Sequence, residues 1–350
     1  MKRVLSVIMC LVLIIPLVFL SGCDDGTVTI NVYNVGDYID EEVISLFEEE
    51  YPGIKVNYET FYSNEEMYVK VKNNITAYDV AFPSDYMVER MIAEDLLLEI
   101  DYNNIPNIRY IGSEYMGKDY DPENKFSVPY MWGTMGILYN KDMVDEKDMQ
   151  SWSALYSPKY KNKVFMLDSE RDMISITLKS MGYSMNSYDD EELEKAEDKL
   201  VSQKKNVVRA YCGDEVKDKM VANEAAITIA WSGDAFYCME FNDALRYSEP
   251  KEGTNLFFDN MVIPKFSAHK KEAELFIDFM CRPDIAKMNT DYIGYSTANA
   301  AARDMLDDEI KNDRLRYPDV SKNDGYYEIF RYNPELSKKY SKLWQRVKVR

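Results

Sequence analysis

Asn255-Leu-Phe-Phe-Asp-Asn-Met-Val-Ile-Pro264 is an apolar stretch that carries one acidic residue, Asp259, near its centre. Gly253 precedes it, and its length and composition are typical of a strand that is buried on both faces. A buried carboxylate costs several kcal/mol unless a cation or strong hydrogen-bond donors contact it. Asp259 is therefore either paired with a lysine or arginine of its own chain or placed to bind a cationic ligand.

The strands and helices before this stretch alternate. A capping box at Ser63-Asn-Glu-Glu66 opens the second helix of the series. Five elements are predicted in order, a strand at 27–33, a helix at 40–51, a strand at 54–58, a helix from 63 and a strand at 77–82. This β-α-β-α-β order predicts a parallel sheet that is covered by helices. Ligands bind beyond the carboxyl ends of such strands, where Asn34–Tyr38 and Ser84–Tyr86 would border one crevice.

A second α/β pattern follows a long apolar strand at 126–140, which would cross between two lobes. A strand at 163–167 ends in Asp168–Asp172, before a helix predicted from Met173. Another strand, at 226–230, ends at Trp231. Acids and an aromatic residue therefore stand at strand ends in the second lobe as well.

The opening stretch would return the chain to the first lobe. We therefore expect two lobes joined by two crossing strands, each lobe with a mainly parallel sheet and flanking helices. Lobe 1 would contain residues 27–135 and 257–300. Lobe 2 would contain residues 136–256 and 301–350, with a helical, charged tail at its end.

The N-terminus is typical of an export signal. A basic start precedes the apolar run Val4–Leu20, and Leu20-Ser-Gly-Cys23 follows. This tetrapeptide is similar to the lipobox of bacterial lipoproteins, which implies removal of residues 1–22 and lipidation of Cys23. An uncleaved membrane anchor is the alternative. Both readings place residues 27–350 outside the cytoplasmic membrane, in a periplasm if the host has an outer membrane.

Charge narrows the range of partners. Without residues 1–22 the chain has 40 basic and 61 acidic residues, a formal charge of −21. Such a surface repels nucleic acid and attracts cations over long range, so we expect no nucleic-acid partner. Plain solubility explains the charge equally well. The 46% hydrophobic content is ample for a packed core, and the length favours two lobes.

The cysteines give no disulfide framework or metal motif. Cys212, Cys238 and Cys281 are an odd set without a CxxC pair, and we expect buried free thiols. A disulfide between the first two is the alternative.

The sequence offers little for an enzyme. Its single histidine, His269, stands at the start of a predicted helix, and no hydrolase, zinc-protease, phosphate-loop or dinucleotide motif is present. We therefore expect no catalytic residue, metal or cofactor. Acids and aromatics that converge from strand ends suit an organic cation, because carboxylates bind ammonium groups and aromatic faces line methylene chains and cationic nitrogens.

The chain resembles the bacterial spermidine/putrescine-binding proteins of ABC import systems over essentially its whole mature length. The stretches that carry the resemblance are Tyr33–Tyr38, Ser63–Tyr68, Ala77–Ser84, Ser127–Gly133, Ser151–Leu155, Asp168–Asp172, Asp259–Pro264 and Ile293–Asn299. The resemblance implies a type II periplasmic-binding-protein fold and a monomeric receptor, lipid-anchored at the outer face of the cytoplasmic membrane. Such a receptor closes on a polyamine and docks on an ABC permease.

The resemblance also implies individual roles. Asp259 matches an acid that binds a ligand nitrogen, and Asp172 matches a second acid that is often Glu. The other matching positions expected to line the ligand are Ser84, Tyr86, Trp231, Tyr295 and Glu328.

Three ligand positions depart from the family pattern. Val35-Gly36 replaces a Trp-Thr pair, Phe257 stands where the family can carry a tryptophan, and Ser169 stands where one member has a ligand-binding Asp. We expect Gly36, Phe257 and Ser169 at the site, with a preference that shifts toward putrescine or another amine.

Alternatives remain for these residues. Asp172 could cap a helix, Ser84 and Tyr86 could be turn residues, and the aromatics could be plain core. The alternative function is a receptor of the same fold for another cationic or amino-acid solute. An arginine in the crevice, with Arg171 as the candidate, would indicate a ligand carboxylate.

Overall fold

The computed structural model describes residues 26–320 and 325–350. The predicted signal at residues 1–22 and the lipidation site at Cys23 lie outside these ranges. Within them, the strands form one continuous sheet path with three short side strands. The strands are β1 (Val28–Val35), β2 (Ile54–Phe61), β3 (Val80–Ala81), β4 (Ser127–Asn140), β5 (Val164–Leu167), β6 (Val208–Cys212), β7 (Ile227–Trp231), β8 (Leu245–Ser248), β9 (Thr254–Val262), β10 (Ser296–Thr297) and β11 (Tyr327–Glu328).

Twelve α-helices accompany these strands in the described ranges. They are α1 (Glu41–Glu50), α2 (Asn64–Lys72), α3 (Asp85–Ala93), α4 (Glu170–Lys179), α5 (Asp190–Asn206), α6 (Val216–Val221), α7 (Ser232–Phe241), α8 (Lys270–Met280), α9 (Pro283–Ile293), α10 (Ala300–Asp304), α11 (Asp308–Lys311) and α12 (Pro334–Val349). None of these described helices combines the length and apolarity that a membrane span requires.

The β-α-β-α-β pattern predicted for lobe 1 is confirmed. β1 pairs in parallel with β2 on one side and with β3 on the other. The Asp40 side chain accepts the N–H of Glu42 at the start of α1, and Ser63 accepts the N–H of Glu66 at the start of α2. These oxygens satisfy backbone donors that have no partner inside the helix, so each helix begins where the sequence predicted it.

β3 is shorter than the predicted strand at 77–82. The carboxylate of Asp79 accepts the backbone N–H of Asn31 at 2.9 Å. The N–H of Asn31 is thus bonded to the Asp79 side chain and not to a backbone carbonyl of a longer β3. Regular pairing of β3 with β1 is therefore confined to Val80–Ala81.

β4 is the predicted crossing strand, and all fourteen of its residues are buried. Its first half pairs antiparallel with β9, and its second half pairs with β7 and β8. β9 is therefore the second crossing strand, and the expected two-lobed α/β architecture is confirmed. The pairing of β4 with β9 is irregular between Pro129 and Met131, directly opposite Asn260 and Asp259.

Lobe 2 has β5 in parallel contact with both β6 and β7. The helix that follows β5 begins at Glu170, so its predicted start at Met173 was wrong by one turn. Glu170 and Asp172 lie in the first turn, where acidic side chains complement the positive end of the helix dipole.

Residues 301–317, which were expected in lobe 2, contact both lobes. The Arg316 guanidinium lies 4.3 Å from the ring centre of Phe236 in lobe 2, and the segment also contacts lobe 1. The Tyr317 ring lies 6.0 Å from that of Trp132, and the Arg303 guanidinium lies 4.0 Å from the Tyr317 ring centre. Ser296 donates to the carbonyl of Arg316 at 2.6 Å. We propose that lobe 1 extends to residue 317 and that the part of lobe 2 after β9 begins at residue 325.

The core contains the three remaining cysteines. Cys212, Cys238 and Cys281 are buried and free, so the prediction of unpaired thiols is confirmed and the alternative disulfide is not formed.

Candidate functional site

Asp259 is the one residue of β9 that keeps part of its surface accessible, while its eight strand neighbours are buried. One carboxylate oxygen accepts the Ser84 hydroxyl at 2.6 Å, and the other accepts the Tyr38 hydroxyl at 2.7 Å. Among the described residues no lysine or arginine forms an ion pair with it. The internal ion pair considered from the sequence is therefore not formed, and neutral donors alone contact this acid.

Burial raises the pKa of the Asp259 carboxyl, and the hydrogen bonds from Ser84 and Tyr38 oppose that rise. A second acid, Asp85, lies close by at the first residue of α3 and is fully buried. Its oxygens accept the backbone N–H of Tyr86 at 2.6 Å and of Phe258 at 3.1 Å. Burial is the main reason why the pKa of Asp85 is raised well above its usual value. The negative charge of Asp259 raises it further, by a smaller amount. Two carboxyls thus share one weakly solvated region, which favours a cation.

Aromatic rings pack around Tyr38, the tyrosine that donates to Asp259. The Tyr295 ring packs edge-to-face on Tyr38, with ring centres 4.9 Å apart, and lies 6.1 Å from the Phe257 ring. Tyr295 fits closely against Gly233 at the start of α7, where a methyl group would overlap its ring. The contact between Gly233 and Tyr295 joins lobe 2 to lobe 1.

Asp172 is the second predicted acid, and it is 93% buried in the first turn of α4. It accepts the Ser169 hydroxyl at 2.6 Å. Burial raises the pKa of Asp172 to about 6, while Ser169 and the neighbouring Arg171 hold it down. Ser169, and not Asp172, is the N-cap residue of α4, so the cap alternative for Asp172 is excluded.

Tyr86 connects the two lobes. Its hydroxyl donates to Glu65 at 3.0 Å within lobe 1. On its ring face lies the guanidinium of Arg171 from lobe 2, 4.1 Å from the ring centre. Within the described residues Arg171 forms no ion pair with a carboxylate. Its guanidinium donates to the backbone carbonyl of Arg331 at 3.4 Å and lies 5.5 Å from the Phe330 ring centre.

Glu65 places a negative charge of lobe 1 opposite lobe 2. Its charge is one of the causes that raise the pKa values of Glu170 and Asp172, after burial as the largest cause. Acids of the two lobes therefore repel each other across the crevice, and a bound cation would relieve that repulsion.

The structure brings most of the predicted residues to the crevice in two groups. Ser84, Phe257 and Tyr295 lie with Asp259, whereas Tyr86 and Ser169 lie with Asp172. Trp231 is half-buried at the end of β7, next to the α7 residues that meet Tyr295.

Two predicted residues lie apart from these groups. Glu328 forms a 2.6 Å ion pair with Lys179 and accepts the Ser184 hydroxyl and the Met185 N–H, all within lobe 2. Both of its oxygens are thus engaged, and its predicted ligand contact has no support in this geometry. Gly36 is exposed after β1, and nothing lies within 4 Å of where its side chain would begin.

Sequence reasoning missed Tyr38, Asp85 and Glu65. Tyr38 and Asp85 belong to the two strand-end segments that were expected to border the crevice, so their position was the available signal. Glu65 was read only as part of a helix-capping segment, and its role across the crevice depends on how the lobes meet.

Known proteins of similar sequence and fold identify the family of this chain. A family model described as bacterial extracellular solute-binding protein matches residues 42–317. The chain belongs to this family. As an extracellular solute-binding protein it is a member of a receptor family of ABC transporters and not of an enzyme family.

Relatives of this solute-binding protein confirm the resemblance seen in its sequence. It is 35% identical over 325 residues to a spermidine/putrescine-binding periplasmic protein of Salmonella typhimurium, with 92% of each chain covered. A solved spermidine/putrescine ABC transporter substrate-binding protein of Streptococcus pneumoniae is 44% identical, with a TM-score of 0.79 over 92% of this chain and 99% of the other. A Listeria monocytogenes protein assigned to spermidine/putrescine ABC transport is 40% identical, with a TM-score of 0.87 over 91% and 98%.

Proposed function

We propose that this chain is an extracytoplasmic receptor that binds spermidine or putrescine and delivers it to an ABC import permease. The observation that carries the proposal is Asp259, an accessible carboxylate at the crevice that is contacted by the neutral hydroxyls of Ser84 and Tyr38. Solvent-shielded carboxylates favour a cationic partner, and a primary ammonium group supplies three donors. The names of the Salmonella and Streptococcus relatives agree with this ligand class.

The proposed mechanism is closure of the two lobes around the cation. Lobe 1 supplies Asp259, with Asp85 behind it, and lobe 2 supplies Asp172. Without a ligand, the like charges of Glu65 and Asp172 oppose closure. A polyamine would neutralise both sides, and this contact exists only in the closed form, so binding would shift the population toward it.

Aromatic side chains would hold the methylene chain of the ligand. Tyr38, Tyr295 and Phe257 surround one end, and Tyr86 lies toward the other. A ring face attracts cationic nitrogens and packs on methylene groups. Because Phe257 stands where the family pattern can carry a larger tryptophan, we propose a pocket that discriminates less between amines of different length.

Anchoring and delivery complete the proposal. A lipid on Cys23 would hold a monomeric receptor at the outer face of the cytoplasmic membrane, within reach of the permease. The lipobox-like tetrapeptide at residues 20–23 supports this anchor. Palmitate labelling of the expressed protein, compared with a Cys23→Ala variant, tests it directly.

A specific observation favours a second candidate, a receptor for a cationic amino acid. Arg171 presents a guanidinium without a carboxylate partner among the described residues. Such a group could bind the carboxylate of an amino-acid ligand while Asp259 binds its amine.

A thermal-shift screen separates the two candidates. Putrescine, spermidine, arginine, lysine and glycine betaine would each be added in excess to the mature protein, because a ligand that binds only the folded state raises the melting temperature. We expect stabilisation by putrescine or spermidine. Stabilisation by arginine or lysine alone would replace the proposal with the second candidate.

A further inference from the structure

The C-terminal segment Phe330–Tyr332 reaches from lobe 2 to helix α3 of lobe 1. The Arg331 guanidinium donates to both oxygens of Glu89, with its shortest contact at 2.7 Å. The backbone N–H of Tyr332 adds a further bond to Glu89 at 2.7 Å, and Arg331 also contacts Asp119 at 3.2 Å.

Lobe 2 holds this segment firmly. Asn186 accepts the backbone N–H of Arg331 at 2.8 Å and donates to the carbonyl of Ile329 at 2.9 Å. The ion pair of Glu328 with Lys179, only 18% and 8% exposed, fixes the chain just before it. The side chain of Arg331 therefore moves with lobe 2, although its carboxylate partner belongs to lobe 1.

Glu89 stands on the helix that carries the candidate ligand residues. Ser84 is the N-cap of α3, and Tyr86 lies in its first turn. Glu89 follows Tyr86 by three residues, about one helical turn, on the same rigid element. The contact of Arg331 with Glu89 therefore also holds the N-terminal end of α3, where Ser84 contacts Asp259.

An isolated surface ion pair contributes little to stability. This one differs because its guanidinium contacts both oxygens of one carboxylate and its backbone is held in place, so less side-chain entropy is lost. The ion pair between Arg331 and Glu89 also joins the two lobes, so it stabilises the closed conformation, in which the lobes are in contact. Because the ligand binds the closed conformation, stabilising that conformation would raise the apparent affinity for the ligand.

We infer that Arg331 and Glu89 are positioning residues that set ligand affinity from outside the crevice by stabilising the closed form. The inference rests on the proposed receptor function. The effect is electrostatic across a partly exposed contact, so it decreases as ionic strength rises.

The test compares three charge-neutralising variants. Arg331→Gln and Glu89→Gln remove either side of the contact, and Arg346→Gln is the control, because Arg346 is similarly exposed and pairs with Glu197 inside lobe 2. At low salt we expect the first two to weaken spermidine or putrescine binding roughly three- to tenfold, mainly through faster dissociation. The control should bind as the unmodified protein does, and the double variant Glu89→Gln/Arg331→Gln should be no weaker than either single one.

Equal affinities for Arg331→Gln and Arg346→Gln would overturn the inference, as would losses in the double variant that simply add. If the unmodified protein binds no amine, the receptor proposal fails but this contact can still be tested. Small-angle scattering of the ligand-free proteins should then show a larger radius of gyration for Arg331→Gln than for the control, and equal radii would refute the contact as a closing device.

Discussion

Asp259 is a charged residue in an apolar strand, and its surroundings favour the binding of a cation. It interrupts an apolar strand, which makes the strand less stable than a fully apolar one would be. In return it presents a carboxylate with two neutral donors and no internal cation among the described residues. The two hydroxyl groups offset only part of the free-energy cost of removing the Asp259 charge from water. The carboxylate is therefore most strongly stabilised when an external cation binds.

Replacing Asp259 by Asn should abolish most amine binding without unfolding the protein. We expect a loss of about 2–5 kcal/mol in binding free energy, because a charge partner of the ligand is removed. The melting temperature without ligand should stay the same or rise, since a poorly solvated charge is lost. Titration calorimetry and a melting curve measure both. Asp308→Asn, at a side chain that is 86% exposed, serves as the control, and unchanged amine affinity in Asp259→Asn would refute the assignment.

At the scale of the element, the crevice depends on close packing where strands end and helices begin. Helix α7 begins with Ser232 and Gly233, and Gly233 leaves the space that the Tyr295 ring occupies. Gly294, with a φ of +76°, turns the chain just before that ring. The missing side chain at Gly233 therefore positions an aromatic wall of the candidate site.

Gly233→Ala tests this packing. Alanine normally favours a helix over glycine by about 0.5–1 kcal/mol, but here its methyl group overlaps Tyr295. We expect a net destabilisation of about 1–3 kcal/mol and weaker amine binding. Denaturant unfolding of Gly233→Ala and of Gly233→Ala/Tyr295→Ala measures the effect. The second substitution should recover part of the lost stability, and purely additive losses would contradict the proposed overlap.

At the scale of the whole molecule, the two lobes bring several acids with raised pKa values to one crevice. Burial raises the pKa of Asp172 to about 6, and it also raises the pKa values of Asp85 and Asp259. The ligand-free receptor therefore holds protons that a bound cation would displace. Because the pKa of Asp172 is higher in the folded state than in the unfolded state, protonation of Asp172 stabilises the ligand-free fold as the pH falls through about 6.

The pH dependence of binding has the opposite sign. Protonated carboxyls do not attract ammonium groups, so amine affinity should fall as the pH is lowered from 7 to 5, and binding near pH 6 should release protons. Calorimetry in two buffers with different ionisation enthalpies counts those protons. Asp172→Asn should reduce the release near pH 6, and an affinity that is flat between pH 5 and 7 would contradict the prediction.

Much of the fold and part of the site could be predicted from sequence. The caps at Asp40 and Ser63 and the crossing strand β4 depend on neighbouring residues and on strand periodicity, which a sequence displays directly. The start of α4 was wrong by one turn, because the acids at its first turn also suit a loop. Glu328 was expected at the ligand, but its partner Lys179 lies 149 residues away and no local pattern reveals it.

The sequence by itself determined the alternation of strands and helices, the family, and an acid within an apolar strand. These follow from patterns that extend over a few residues or over ordered motifs along the chain. Only the tertiary structure decided that Asp259 meets Tyr38 and Ser84 instead of an internal cation, and that Arg331 reaches Glu89 across the lobes. The partners in these contacts are 175 to 242 residues apart, so packing of the whole chain, and not local preference, sets them.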